Sequence, residues 1–249
     1  MKPLLAALQF MTICPLVCRV SCDVREIGRS TPWFPFIGLL AGGMVAMLDW
    51  GMLRGFGPVV AGVISVIALM GVSGGLHADG LADTADGFFS ARPRERILEI
   101  MRDSRIGAMG VLALLAVFAL KCAALVAVPE SARWSVLVLM ALAGRCSIVL
   151  QLHLLPYARQ DGGLCSVFVS HRSHWDWAIA LVVLGGGAWL LRGWEGLATA
   201  ACAIAALAVF AAWCRRKIGG FTGDTLGAGC EIIELVPAMV AVAWWRATT

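Results

Sequence analysis

Residues 107–128 read GAMGVLALLAVFALKCAALVAV, a stretch in which Lys121 is the single charged residue. As an α-helix these 22 residues extend about 33 Å, which matches the hydrocarbon thickness of a bilayer. Tryptophan residues stand at many ends of similar stretches, as is typical of side chains at a membrane interface. Six further stretches of this kind lie at residues 33–53, 56–76, 134–155, 177–191, 194–213 and 226–245.

The composition of the whole chain agrees with these stretches. Of its 249 residues, 60% are hydrophobic and 14% are charged, whereas a soluble domain is about 45–50% apolar and about 25% charged. So few charges exclude a soluble globular, disordered or disulfide-stapled protein, and no basic run interleaved with aromatic residues indicates nucleic-acid binding. We therefore expect an all-α, polytopic helical membrane protein with about seven transmembrane helices, in which residues 1–249 form a single integral membrane domain.

The charges between the apolar stretches predict how the chain is oriented in the membrane. Fourteen basic residues fall on one side of the spans, whereas Arg54, Arg133, Arg192 and Arg246 fall on the other. Because basic loops stay in the cytoplasm, this asymmetry predicts a cytoplasmic N-terminus and an external C-terminus. Residues 1–30 precede the first span and contain prolines that break their apolar run, so we expect an interfacial or partly inserted segment there.

An acidic stretch follows the second apolar span. Residues 74–90 read GGLHADGLADTADGFFS, and the spacing of four and three places Asp79, Asp83 and Asp86 on one face of a helix. Three carboxylates on one face next to a membrane repel each other unless a cation neutralises them. Since all three are hard oxygen donors, the pattern predicts a Mg²⁺ or Mn²⁺ site. The alternative interpretation is a solvated acidic turn beside the membrane.

Three neighbours of these carboxylates are further candidates for the site. Gly75 and Gly87 permit a close approach of the backbone to a substrate. His77 precedes the first aspartate by two residues and is a candidate general base.

A second acidic stretch lies at residues 219–234, which read GGFTGDTLGAGCEIIE. Asp224 and Glu231 are seven residues apart and therefore share a helix face, which makes them candidates to complete the metal site. Asp224 is alternatively a cap for the helix that starts near Thr225, but capping leaves Glu231 and Glu234 inside an apolar span unexplained.

Two arginines are candidate substrate ligands. Arg105, in the sequence DSRIG at the mouth of the third span, is suited to bind a phosphate. Arg145 lies in the middle of a span, where a charge requires a carboxylate or a ligand as partner. By contrast, Asp176 lies in a polar loop, and replacing it is expected to change little.

Three stretches of the chain resemble the signatures of one enzyme family. HADGLADTADG at residues 77–87, RDSRIG at residues 102–107 and GGFTGDTLGA at residues 219–228 are similar to those of the cobalamin-5′-phosphate synthases, also called adenosylcobinamide-GDP ribazoletransferases. The amino-terminal LQFMTICPL and WFPFIGLLAG also fit that family's pattern. The resemblance covers most of the chain, in order.

This resemblance implies a Mg²⁺-dependent transferase of the bacterial cytoplasmic (inner) membrane, with its active site toward the cytoplasm. Its substrates would be a nucleotide-activated corrinoid, adenosylcobinamide-GDP, and α-ribazole or α-ribazole 5′-phosphate, and GMP would be released late in cobalamin biosynthesis. One carboxylate of the acidic face, or His77, would accept the proton of the attacking hydroxyl. The sequence is compatible with a homo-oligomer and does not specify its state.

Other functions use similar carboxylates. Asp83, Asp86 and Gly87 match part of the motif of the CDP-alcohol phosphotransferases, but Ala91 and Arg92 arrive one residue late and the following motif positions are missing. A cation transporter would also bind its ion through carboxylates, although it needs them near the middle of the membrane rather than toward one side. A non-catalytic membrane scaffold leaves the acidic face unexplained.

Overall fold

A computed structural model describes residues 2–13, 21–159, 162 and 164–248. These residues form α-helices joined by short connections, with a 3₁₀ turn at Thr31–Trp33 and no β-strand. The helices are α1 (Lys2–Met11), α2 (Val24–Gly28), α3 (Phe34–Gly71), α4 (Leu76–Phe88), α5 (Arg94–Ile100), α6 (Ala108–Ala127), α7 (Glu130–Leu154), α8 (Leu164–His171), α9 (Asp176–Ile218) and α10 (Gly223–Thr248).

Helix α3 is a helical hairpin rather than one straight rod. Gly57 has φ 73° and ψ 177°, a backbone conformation that residues with a Cβ atom rarely adopt. Pro58 begins the second helical stretch. The hydroxyl of Ser65 donates a hydrogen bond of 2.9 Å to Asp49. These residues would lie about 24 Å apart in a straight helix, so the chain must fold back at Gly57.

Helix α9 folds back in the same way. Gly193 has φ 56° and ψ −129°, and the rings of Trp189 and Trp194 pack edge to face with centroids 5.3 Å apart. A side chain on Gly196 would overlap the carbonyl oxygen of Ala188, so the two arms are in close contact. With both hairpins divided, the described helices supply seven apolar segments at the positions of the seven predicted spans.

Helices α3, α9 and α10 pack around α7. Five described helices, with the two hairpins counted whole, are long and apolar enough to cross a membrane. The 18-residue apolar segment of α7 is completely buried among its neighbours. Only 22% of the corresponding apolar segment of α6 is buried. Since large apolar side chains cover the outer faces of the other helices, those faces suit contact with lipid. The structure therefore confirms an all-α polytopic membrane protein, and the number of crossings stays a prediction.

The loops next to the signature stretches meet at one end of the helix bundle. Arg94 donates a hydrogen bond of 3.0 Å to the carbonyl of Ala158, and the Lys217 ammonium donates one of 2.7 Å to the carbonyl of Phe88. The backbone of Ala158 also bonds to that of Phe221. The loops predicted to share the cytoplasmic side thus contact each other.

The N-terminal segment lies partly outside the described residues. In α1, Ala6, Ala7 and Met11 are buried against the helix bundle. Residues 14–20 are not described, so the interfacial position predicted for residues 1–30 stays a prediction.

Candidate active site

Helices α4 and α10 cross at two glycines. A Cβ on Gly80 would lie 2.6 Å from the carbonyl oxygen of Asp224, and one on Gly227 would lie 3.1 Å from the Cα of His77. A side chain at position 80 would clash with this oxygen, so Gly80 permits the backbones of the two helices to come into contact. This crossing brings Asp224 to the acidic helix α4, although some 140 residues separate them in the chain.

The acidic face of α4 lies at this crossing. Asp79 is exposed, and Asp83 and Asp86 are half-buried. Burial, and then the negative charges of Asp79, Asp224 and Asp86, raise the pKa of Asp83 to about 7. Asp83 is therefore within electrostatic range of the other three carboxylates, and their joint role in one site stays a prediction.

The carboxylates fit a magnesium ion that is shared with a substrate. Among the described residues, no three His, Cys, Asp or Glu side chains are close enough to hold a metal ion by themselves. Proteins usually bind Mg²⁺ through one or two carboxylates, and substrate phosphates and water supply the remaining ligands. The oxygen donors of Asp83 and Asp224 suit this arrangement.

Asp86 has a second role that the sequence did not indicate. Its carboxylate accepts hydrogen bonds from the backbone N–H groups of Gly107 (2.6 Å) and Gly110 (2.8 Å) at the start of α6. A Cβ on either glycine would lie 2.5 Å from an oxygen of Asp86. The negative charge also lies at the positive end of the helix dipole. Asp86 therefore holds α6 against α4, and its role as a metal ligand stays a prediction.

Arginines form a cavity next to the acidic face. Arg159 contacts Asp224 in an ion pair of 2.7 Å. Together with Arg94 and Arg102 it lines a cavity of about 300 Å³, here called the arginine cavity, whose other walls include Glu95 and Glu99. The sequence analysis did not identify Arg159 as a site residue. The only indication in the sequence is that this basic residue follows shortly after the apolar stretch 134–155. Arg105, the predicted phosphate ligand, is exposed and pairs with Asp103 at 2.6 Å.

A second cavity adjoins the first, and Arg159 lines both. This His77 cavity has a volume of about 210 Å³, and its walls include Phe10, His77, Asp79, Ile148, Tyr157, Asp224 and Leu226. His77 is 3% exposed. Burial, and then the positive charges of Arg145 and Lys121, lower its pKa well below the usual value. The imidazole is therefore a weaker proton acceptor than a solvated histidine.

Glu231 lies in a buried charge cluster rather than on the acidic face. Lys121 forms ion pairs of 2.6 Å with both Glu231 and Glu234, and Arg145 pairs with Glu234. All four side chains are at most 1% exposed. The carboxylate predicted to bind metal and the arginine predicted to bind substrate thus have protein partners, as is expected of charges within a membrane.

The charge cluster predicts a large loss of stability when Lys121 is removed. In Lys121→Met, two buried carboxylates share one cation, and breaking a buried ion pair in this way costs about 3–5 kcal/mol. We expect a clearly lower melting temperature for the detergent-solubilised protein. The double variant Lys121→Met, Glu231→Gln restores neutrality and should recover part of the loss. Equal melting temperatures for Lys121→Met and the original protein would contradict a stabilising role.

Two glycines that were predicted to lie near a substrate have roles in the fold itself. Gly87 packs against the end of α5, where a Cβ would lie 2.6 Å from the Cγ of Met101, so this glycine permits helix packing. Its predicted approach to a substrate stays a prediction. Gly75 has φ 80° in the turn that starts α4, which gives it a conformational role, and nothing lies near its missing Cβ. Its predicted proximity to a substrate stays a prediction.

The structure places Asp176 in a buried site at the start of α9 rather than in a polar loop. Its side chain is 1% exposed, accepts a hydrogen bond from the Thr31 hydroxyl and accepts another from the backbone of Ser173 at 3.0 Å. Because replacement would leave buried polar partners unpaired, Asp176 is unsuitable as a neutral control.

Comparison with known proteins assigns the chain to a family. A family model described as Cobalamin-5-phosphate synthase matches residues 3–242. The chain belongs to this family. The match includes α4, the loop before α6 and the start of α10, which are the elements that assemble the site.

Relatives of this member of the cobalamin-5-phosphate synthase family match it over nearly their whole length. A protein of Roseiflexus sp. (strain RS-1) is 41% identical over 235 residues, which cover 94% of this chain and 87% of the relative. A protein of Geotalea daltonii is 37% identical over 95% of both chains, and one of Desulforamulus reducens is 36% identical over 92% of this chain and 91% of its own. All three are named adenosylcobinamide-GDP ribazoletransferase. No solved structure matches the chain.

Proposed function

We propose that this chain joins adenosylcobinamide-GDP to α-ribazole or α-ribazole 5′-phosphate and releases GMP, in late cobalamin biosynthesis. The names of its relatives support this reaction. The observation that carries the proposal is the contact of Arg159 with Asp224 at the α4–α10 crossing, because it joins a basic cavity to clustered carboxylates. Such a site suits a substrate that carries a pyrophosphate.

The protein groups divide the work between charge neutralisation and proton transfer. Arg94, Arg102 and Arg159 bind the phosphate oxygens in the arginine cavity. Asp83 and Asp224 would hold Mg²⁺ or Mn²⁺, which would neutralise the pyrophosphate and stabilise the leaving nucleotide.

The transfer itself exchanges the phosphoanhydride bond of the pyrophosphate for a phosphate ester bond. A ribose hydroxyl forms a bond to the phosphorus that carries the corrinoid, and the bond from that phosphorus to GMP breaks. The proton of the hydroxyl passes to a carboxylate, for which the exposed Asp79 at the edge of the His77 cavity is suited. Positioning of the reacting groups and charge neutralisation supply most of the acceleration in phosphoryl transfer.

We further propose that the site faces the cytoplasm from the cytoplasmic membrane, as the distribution of basic residues favours. Inside-out and right-side-out membrane vesicles that contain the protein test function and orientation together. The assay contains Mg²⁺, α-ribazole and adenosylcobinamide-GDP, whose charged pyrophosphate does not cross the bilayer freely. We expect GMP release from inside-out vesicles.

The controls omit α-ribazole, omit Mg²⁺ or use vesicles without the protein. GMP release only from right-side-out vesicles would overturn the orientation. No release from detergent-solubilised protein, combined with cation flux through liposomes, would overturn the reaction in favour of a transporter.

A further inference from the structure

A cavity of about 540 Å³ lies where the N-terminal helices meet the starts of α3 and α9. This N-terminal cavity is lined by Trp33 of the 3₁₀ turn and by Arg29 and Arg172, which directly follow α2 and α8. A Cβ on Gly28 would lie 2.5 Å from the Cβ of His171. The ends of α2 and α8 therefore contact each other and bring two arginines from distant parts of the chain to one cavity.

Neither arginine is committed to a protein partner. Within the described ranges, the side chains of Arg29 and Arg172 form no hydrogen bond or ion pair. Asp176 also lines the cavity, but it is 1% exposed, and its carboxylate already accepts hydrogen bonds from Thr31 and Ser173. The accessible charge of the cavity is therefore positive, which suits an anionic ligand.

Tryptophans indicate that this cavity lies at the level of the lipid headgroups. Trp33 lines it, and Trp175 and Trp177 flank the first residue of α9 with exposed rings. Tryptophan side chains concentrate at the boundary between the hydrocarbon region and water. Because α3 and α9 both begin here, a phosphate bound in the cavity would lie at the depth of the phospholipid phosphates.

An apolar stripe on α3 leads away from the cavity. It consists of Phe36, Leu40, Met44 and Met47, which follow at intervals of three or four residues and are all exposed. The ring of Phe36 packs 5.7 Å from that of Trp33 in the cavity wall. This α3 stripe therefore continues from the cavity along the surface that suits contact with lipid.

We propose that the N-terminal cavity binds the headgroup phosphate of an anionic phospholipid, and that one acyl chain of this lipid lies along the α3 stripe. Arg29 and Arg172 donate to the phosphate oxygens, for which the planar guanidinium group is suited. A zwitterionic lipid is less suitable, because its ammonium group finds no accessible carboxylate among the residues that line the cavity. None of the residues proposed to bind substrate or metal lines this cavity, so the site is separate from the reaction.

The test is native mass spectrometry of the detergent-solubilised full chain with phosphatidylglycerol, or with phosphatidylethanolamine of the same acyl chains. We expect phosphatidylglycerol to bind at least about tenfold more tightly. In the double variant Arg29→Gln, Arg172→Gln its affinity should fall at least about tenfold, because both charges that face the phosphate are removed. The double variant Arg29→Lys, Arg172→Lys keeps both charges and should retain part of the affinity.

The double variant Arg215→Gln, Arg216→Gln is the matched control. It removes two exposed charges near the end of α9, outside the cavity, so the affinity for phosphatidylglycerol should be unchanged. Equal affinities for the two lipids would overturn the inference, as expected if Arg29 and Arg172 serve only the dipoles of the helix ends. An equal loss of affinity in both Gln double variants would also overturn it. Displacement of phosphatidylglycerol by equimolar inorganic phosphate would assign the cavity to a free anion instead.

Discussion

Asp83→Asn is expected to lower kcat about 10³-fold while the protein still inserts in the membrane, because a metal-bound charge at the pyrophosphate contributes several kcal/mol to the transition state. Asp83 lies at the centre of the acidic face, where burial and the charges of Asp79, Asp224 and Asp86 raise its pKa. Asparagine keeps the size of the side chain and one oxygen but removes the charge. The measurement is GMP release at saturating substrate and Mg²⁺.

Glu130→Gln is the control for this variant. Glu130 is an exposed carboxylate in the first turn of α7, so the variant should keep its rate. Activity of Asp83→Asn within a few-fold of the original protein would reject Asp83 as a metal ligand. A loss that coincides with a lower melting temperature would assign it to folding instead.

Asp224→Asn is expected to raise the Mg²⁺ concentration for half-maximal activity several-fold, and excess Mg²⁺ should recover part of the rate. The carboxylate brings negative charge from α10 to the face of α4, and a hard cation depends on that charge. The measurement is GMP release against Mg²⁺ concentration.

Arg159→Met separates this role from the ion pair. Asp224 pairs with Arg159 at 2.7 Å, so either variant removes that contact. Arg159→Met should raise the KM for adenosylcobinamide-GDP and leave the Mg²⁺ requirement nearly unchanged. If both variants show the same unaltered Mg²⁺ dependence, Asp224 serves to position Arg159 and lies outside the metal site.

Glu231 illustrates how far local spacing can predict a site. Its separation of seven residues from Asp224 placed both on one helix face, and that geometry is correct for a regular helix. The position of a partner on another helix is not encoded in this spacing. Lys121, 110 residues earlier in the chain, lies beside Glu231 and Glu234 and pairs with both.

The sequence by itself determined the membrane class, the apolar segments and the acidic face of α4, because these depend on composition and on the 3.6-residue period of a helix. The resemblance of three short stretches also indicated the family. The tertiary structure decided which charges meet. The glycine crossing brings Asp224 to α4, Arg159 pairs with Asp224 across 65 residues, and Asp86 caps α6. Such contacts depend on how helices pack over long separations, and no local pattern of residues specifies that packing.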